Sequence, residues 1–161
     1  MKALLCREFG PADKLVLEDC PSPTPGEGEV RLAVKACGVN FPDLLIIENK
    51  YQYKPPLPFA PGAEVAGEVV ECGPGVTGVS VGDRVVGMVG WGGYSEEVLC
   101  EANRCLRIPD AMDWATAASF TLTYGTSYHA LVDRARIQPG ETMLVLGAHA
   151  AEHAQRPVDR G

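Results

Sequence analysis

The sequence predicts a mainly β protein with some α: a partly closed antiparallel barrel, then a helical connector, then the first strand of a second sheet. Three observations predict it. As far as Arg107, short runs of β-branched and apolar residues are bounded by glycine and proline clusters. Beyond Pro109 the apolar residues recur at helical spacing. After Pro139-Gly140, four successive apolar residues, Met143-Leu144-Val145-Leu146, read as a strand written for the buried centre of a parallel sheet.

In chain order, strands are predicted over Met1–Leu5, Leu15–Glu18, Glu29–Ala36, Glu64–Glu71, Arg84–Met88 and Tyr94–Cys100, and such spacing suits an antiparallel barrel. The exception is Asn40 to Glu48, where Pro42 fits a first helical turn and Leu44, Leu45, Ile46 and Ile47 follow. A short helix with Asn40 at its mouth is predicted. In the connector, Asp113 caps a helix through Ala115–Ala118, and a second helical stretch runs from Thr126 to Ala135.

Composition narrows the functions. The 161 residues, 46% apolar and 22% charged, suffice for one sizeable core, and 18 glycines and 13 prolines without a period exclude a collagen-like chain. A net charge of -7 offers no basic stripe for phosphates, so nucleic acid and an anionic membrane surface are not expected partners. No apolar run reaches the length of a membrane span. The start Met1-Lys2-Ala3-Leu4-Leu5-Cys6-Arg7-Glu8 is too short and too charged for a secretory signal, so the chain is expected to be cytoplasmic and its six cysteines reduced. No two cysteines have Cys-x-x-Cys spacing. The closest, Cys100 and Cys105, have four residues between them, and all six read as small buried hydrophobes.

Two local patterns are misleading. Gly73-Pro74-Gly75-Val76-Thr77-Gly78 has glycines at the offsets of a dinucleotide fingerprint, but Val79 to Val86 reads as turn and strand where a phosphate cradle needs a helix. A hairpin turn is predicted instead. His149-Ala150-Ala151-Glu152-His153 has the spacing of inverted zinc peptidases. Only eight residues follow His153 and Pro157 interrupts them, which leaves no third ligand, so a zinc peptidase is the third and weakest functional reading.

The richest constellation runs from Ala36-Cys37-Gly38-Val39-Asn40-Phe41-Pro42-Asp43, through Tyr51 and Tyr53, to Pro58-Phe59-Ala60-Pro61-Gly62-Ala63-Glu64-Val65-Ala66-Gly67. With Gly82-Asp83-Arg84-Val85, Gly92-Gly93-Tyr94-Ser95-Glu96, Thr126-Ser127-Tyr128-His129-Ala130-Leu131 and Pro139-Gly140-Glu141-Thr142, it resembles the medium-chain dehydrogenase/reductase superfamily. Within it the sequence is similar to the zinc-independent, zeta-crystallin-like quinone oxidoreductases, over their N-terminal half only. In the zinc alcohol dehydrogenases a cysteine and a histidine ligate the catalytic metal where this sequence has Asn40 and Ala63. An amide and a methyl group cannot replace them, so no zinc is expected, and Glu64 is expected to be structural.

The resemblance implies a GroES-like barrel over residues 1–110, a connector and first Rossmann strand over 111–148, and a divergent, disordered tail over 149–161. It implies an NADPH-dependent transfer of hydride to a small-molecule quinone or enone. Asn40 and Tyr51 are the implied catalytic residues, and Asn40, Thr126 and Gly147 the implied cofactor-binding ones. The bland alternatives are a helix cap for Asn40 and Thr126 and a loop aromatic for Tyr51. The departure lies in the tail: after Gly147-Ala148 no glycine occurs before Gly161, so a truncated Rossmann domain and little affinity for NADPH are expected. The alternative function is therefore an inactive fragment acting as a binding module. The Met143–Leu146 strand, lacking a sheet, is expected to stay exposed or to pair with a second copy in a homodimer.

Overall fold

The computed structural model describes residues 1–145. The chain divides into two units, Met1–Thr121 and Leu122–Gly161.

The first unit is built on β1 (Lys2–Leu5), β2 (Val16–Asp19), β3 (Glu29–Cys37), α1 (Phe41–Ile47), β4 (Glu64–Cys72), β5 (Arg84–Met88), β6 (Glu97–Glu101), β7 (Cys105–Arg107) and α2 (Trp114–Ala118). β1 and β2 pair as a two-stranded antiparallel ribbon, and the other five form one antiparallel sheet in the order β6-β3-β4-β5-β7. Its edge strands β6 and β7 are joined only by the short turn Ala102–Arg104. A flat sheet of five strands would hold its edges about 19 Å apart, whereas four Cα steps from Glu101 to Cys105 reach at most about 15 Å. The sheet therefore rolls up. Register shifts in β3, between Arg31 and Leu32 and between Val34 and Ala36, add the local bend that rolling requires.

Alternation along the strands decides what each face meets. Val30 and Leu32 of β3, Val65 and Val69 of β4, Val85 of β5 and Val98 and Cys100 of β6 share one buried cluster with Cys105. Ala66 and Val86, one position out of phase, form a second cluster with Ile108 and with Ala117 and Ala118 of α2. β4 is thus apolar on both faces, which explains why Glu64–Gly67 are all buried. Arg84 secures the approach to α2: its guanidinium lies 4.2 Å from the Trp114 ring centroid and donates to the carbonyls of Asp110 at 2.6 Å and Met112 at 2.7 Å. Asp113 caps α2 as predicted, accepting from the Thr116 amide at 2.8 Å.

α3 starts at Thr121, the last residue of the first unit, and runs on to Tyr128 in the second, where a wider π-helical turn follows over His129–Arg134. The predicted helix at Thr126 thus begins a turn earlier, and Thr126 lies inside it instead of capping it. The predicted strand over Met143–Leu146 is not formed in its described part: residues 141–145 have no regular structure and Met143, Leu144 and Val145 are exposed. A strand exists only through a ladder partner, and these residues have none among the described residues. Likewise the regular part of the Tyr94–Cys100 strand starts only at Glu97. Before it, the Tyr94 carbonyl accepts from Leu4 and Ser95 bridges to Ala3, so this segment first serves β1. Leu146, Gly147 and the His149-Glu152-His153 pattern lie outside the described residues.

The Gly73–Gly78 segment is a turn, as predicted. A Cβ on Gly73 would stand 1.9 Å from the Gly26 carbonyl oxygen, and the Gly73 amide donates to Glu29 at 2.8 Å. Its missing side chain admits another stretch of this chain rather than a phosphate. Two carboxylates, Glu27 and Glu101, line the adjoining cavity of about 380 Å³ and would repel an anion. Gly78 has φ +85° and open space around it. Gly73→Ala is therefore expected to lower stability by about 3 kcal/mol through the clash, and Gly78→Ala by about 1 kcal/mol through strain alone. Urea denaturation compares the two, and equal losses would contradict this assignment.

Candidate active site around Asn40 and Asp43

α1 starts where it does because Pro42 fits its first turn and Asn40, at φ -121° and ψ 154°, takes the extended backbone of a cap. The spacing Asn40-x-x-Asp43 forms a capping box: the Asn40 amide donates to Asp43 Oδ2 at 2.8 Å. Asp43 does more than cap. Its carboxylate is buried, Oδ1 accepts from the Gly62 amide at 3.1 Å, and Oδ2 also accepts from the Tyr94 hydroxyl at 3.2 Å. One ionised group thus joins the mouth of α1, the Pro61-Gly62 turn before β4, and the loop before β6, through bonds of the stronger charge-assisted kind. Burial and the Asp43 carboxylate push the Tyr94 hydroxyl well above its ordinary range, so it stays a donor.

The backbone around this carboxylate is drawn tight. Gly62 has φ +94°, and a Cβ there would lie 2.6 Å from the Tyr94 ring and 2.8 Å from Cys37 Sγ. The Gly38 amide donates to the Glu64 carbonyl at 2.9 Å, and a Cβ on Gly38 would meet the Ala118 carbonyl oxygen at 2.5 Å. Glu64 is fully buried, and its Oε1 accepts from the Thr121 amide at 2.5 Å. That contact ties the start of β4 to the end of the first unit.

Asn40 side-chain Nδ2 is buried and has no hydrogen-bond partner among the described residues. A buried donor left unpaired costs about 1–3 kcal/mol, which makes it a place where an acceptor atom from a ligand would be welcome. Tyr51 follows the other end of α1, packs on Cys6, Ile46, Ile47 and Phe59, and lies tilted against Tyr53 with ring centroids 5.8 Å apart. Asn40 and Tyr51 therefore occupy opposite ends of a helix about 10 Å long. Thr126 is exposed on α3 in the second unit. Ala63 supplies only backbone to its surroundings: its carbonyl accepts from Val89 at 2.9 Å and Gly90 at 3.3 Å. No group of three or more His, Cys, Asp or Glu side chains is placed to hold a metal ion among the described residues. Asp43 and Tyr94 are the residues that sequence reasoning missed. The capping-box spacing was a signal for Asp43, while nothing local in the sequence points Tyr94 towards it, 51 positions away.

Comparisons with known proteins show what the chain is similar to. Residues 26–110 match the family model of the alcohol dehydrogenase GroES-like domain. The quinone oxidoreductase-like protein 2 homolog of Nematostella vectensis is 44% identical over 152 residues, covering 93% of this chain and 41% of that protein. A crystal structure of a probable oxidoreductase from Mycobacterium abscessus superposes with TM-score 0.85 at 39% identity, covering 92% of this chain and 48% of that one. A mycobacterial protein complexed with NADPH superposes with TM-score 0.83 at 37% identity, covering 92% and 46%. The chain spans about two fifths of the length of the curated relatives it matches.

Burial, with Asp43 and Glu64 nearby, pushes the Cys37 thiol up to about 12 from 9.0. The folded chain thus holds this proton more tightly than the unfolded one. Its contribution to stability is complete below pH 9 and is lost as pH rises from 9 towards 12. Urea unfolding at pH 8 and pH 10.5 is expected to show a smaller alkaline loss for Cys37→Ala than for the unaltered chain. Identical losses would contradict the shift.

Proposed function

The chain belongs to the alcohol dehydrogenase GroES-like domain family, with quinone oxidoreductase-like relatives, and from that premise we propose that it forms the acceptor side of an NADPH-dependent, zinc-independent reductase of quinones or enones. The observation that carries the reading is the buried side-chain Nδ2 of Asn40, without a hydrogen-bond partner among the described residues, at the position where the metal-using branch of the family has a zinc-ligating cysteine. The side chains of Asn40 and Ala63 do not fit zinc. An uncharged amide replaces a thiolate, and a methyl group offers no lone pair.

The same amide fits the nicotinamide end of NADPH or the oxygen of an acceptor. NADPH, when bound, supplies the hydride. What this chain's own residues supply is a fixed donor: the Asn40 amide would hydrogen-bond the oxygen that gains negative charge as the acceptor is reduced. Asp43 holds the Asn40 backbone, so the donor is oriented before the substrate arrives and little reorganisation is needed. Tyr51, half-buried, would offer an aromatic face to a flat acceptor. The described residues supply no cradle for the pyrophosphate.

A second reading, a binding module without turnover, is favoured by the lack of any glycine between Gly147 and Gly161, where the family's phosphate-binding turn belongs. Titrating NADPH while following its fluorescence separates the two. Saturable binding, with oxidation when a quinone is added, is expected for the reductase. A flat titration from a folded sample supports the module. Under the reductase reading, Asn40→Ala is expected to reduce kcat by about 100-fold, as for other oxyanion donors, while stability falls only by about 1 kcal/mol, as for a lost helix cap. Unaltered turnover would remove Asn40 from the mechanism.

A further inference from the structure

We propose that Cys100 and Cys105 form a redox pair inside the barrel, a dithiol that a hydroperoxide converts into a disulfide tying the end of β6 to the start of β7. The rolling of the sheet brings the two together, because β6 and β7 are its two edges and only Ala102–Arg104 separate them. Both cysteines are buried in the same apolar cluster. Gly87 on β5 is their common neighbour. Cys100 Sγ sits 3.1 Å from the place a Cβ of Gly87 would occupy, so the sulfur fills the space that glycine leaves. Cys105 is the residue directly opposite Gly87 in the β5–β7 ladder, and side chains opposite one another in an antiparallel pair project to the same face. The two thiols are thus directed into one pocket above Gly87.

Their environments are unequal in a useful way. The neighbouring thiol raises Cys100 and lowers Cys105, while burial opposes ionisation of both. Cys105, whose thiol the neighbouring Cys100 holds below its ordinary range, is the readier nucleophile. In the first step Cys105 gives up its proton and its sulfur attacks one oxygen of hydrogen peroxide. The O–O bond breaks, Cys105 becomes a sulfenic acid, and the departing hydroxide takes the proton to become water. The Cys100 sulfur then attacks the Cys105 sulfur, and its proton leaves with the hydroxyl group as a second water. The two thiols lose two electrons and two protons in all, and the peroxide is reduced to two waters. The disulfide would close covalently the seam that the short turn already brings together.

Arg104 lies between the two cysteines, which makes the product easy to recognise. Trypsin cuts after Arg84, Arg104 and Arg107, so a disulfide would hold peptides 85–104 and 105–107 together in a non-reducing digest. After mild hydrogen peroxide treatment of the full chain, a mass loss of about 2 Da in a monomer and this linked pair are expected, both reversed by dithiothreitol. In Cys100→Ser, the Cys105 sulfenic acid is expected to persist and to be captured by dimedone. Oxidation confined to Cys20 or Cys72, oxygen adducts on Cys105 without linkage in the unaltered chain, or a disulfide between two chains would each overturn the proposal.

Discussion

The candidate site depends on one buried carboxylate. Asp43 accepts from the Asn40 amide, the Gly62 amide and the Tyr94 hydroxyl, three groups from three segments distant in sequence. Removing such a charge from water costs several kcal/mol, and it is tolerated only when its oxygens are satisfied. The arrangement is therefore reciprocal. The donors make burial of the carboxylate acceptable, and the carboxylate fixes the relative positions of helix mouth, turn and loop. Asn40 presents a spare amide because Asp43 already holds its backbone.

The barrel serves this constraint by bringing distant segments together. β4 is buried on both faces, between the barrel cluster and α2, and it carries Glu64 at its start beside the Gly62 turn. Close approaches at Gly38 and Gly62 leave no room for a Cβ, so the wall is set at backbone distance rather than through flexible side chains. The same rolling that assembles this wall brings Cys100 and Cys105 to one place at the edges of the sheet. Both features arise from a sheet too curved to be flat.

Much of the fold was legible in the sequence because strands, turns and caps are local. Gly and Pro clusters bound the strands, Pro42 and Asn40 give the start of α1, and Asp113 gives the cap of α2. The Gly73–Gly78 turn was legible for the same reason, since it leads into a strand and not a helix. Residues 143–145 form no strand here because a strand is defined by its partner, and apolar runs do not carry one with them. At the site, Asn40 was reached through family resemblance and its capping role through local spacing. The Asp43–Tyr94 bond spans 51 positions and arises only when the sheet curls, so no local pattern announces it. Tyr51 shows the opposite limit: its aromatic character was evident, but its place beyond the far end of α1 from Asn40 was not.

The central role of Asp43 is tested most directly by amide hydrogen exchange, measured by NMR on Asp43→Ala and on the unaltered chain. The Asn40 and Gly62 amides are expected to lose protection together in the variant, by at least about tenfold for a lost charge-assisted bond, while the β3–β4 ladder amides keep theirs. Unchanged protection at both Asn40 and Gly62 would show that the wall stands without the carboxylate and would contradict the role assigned to it.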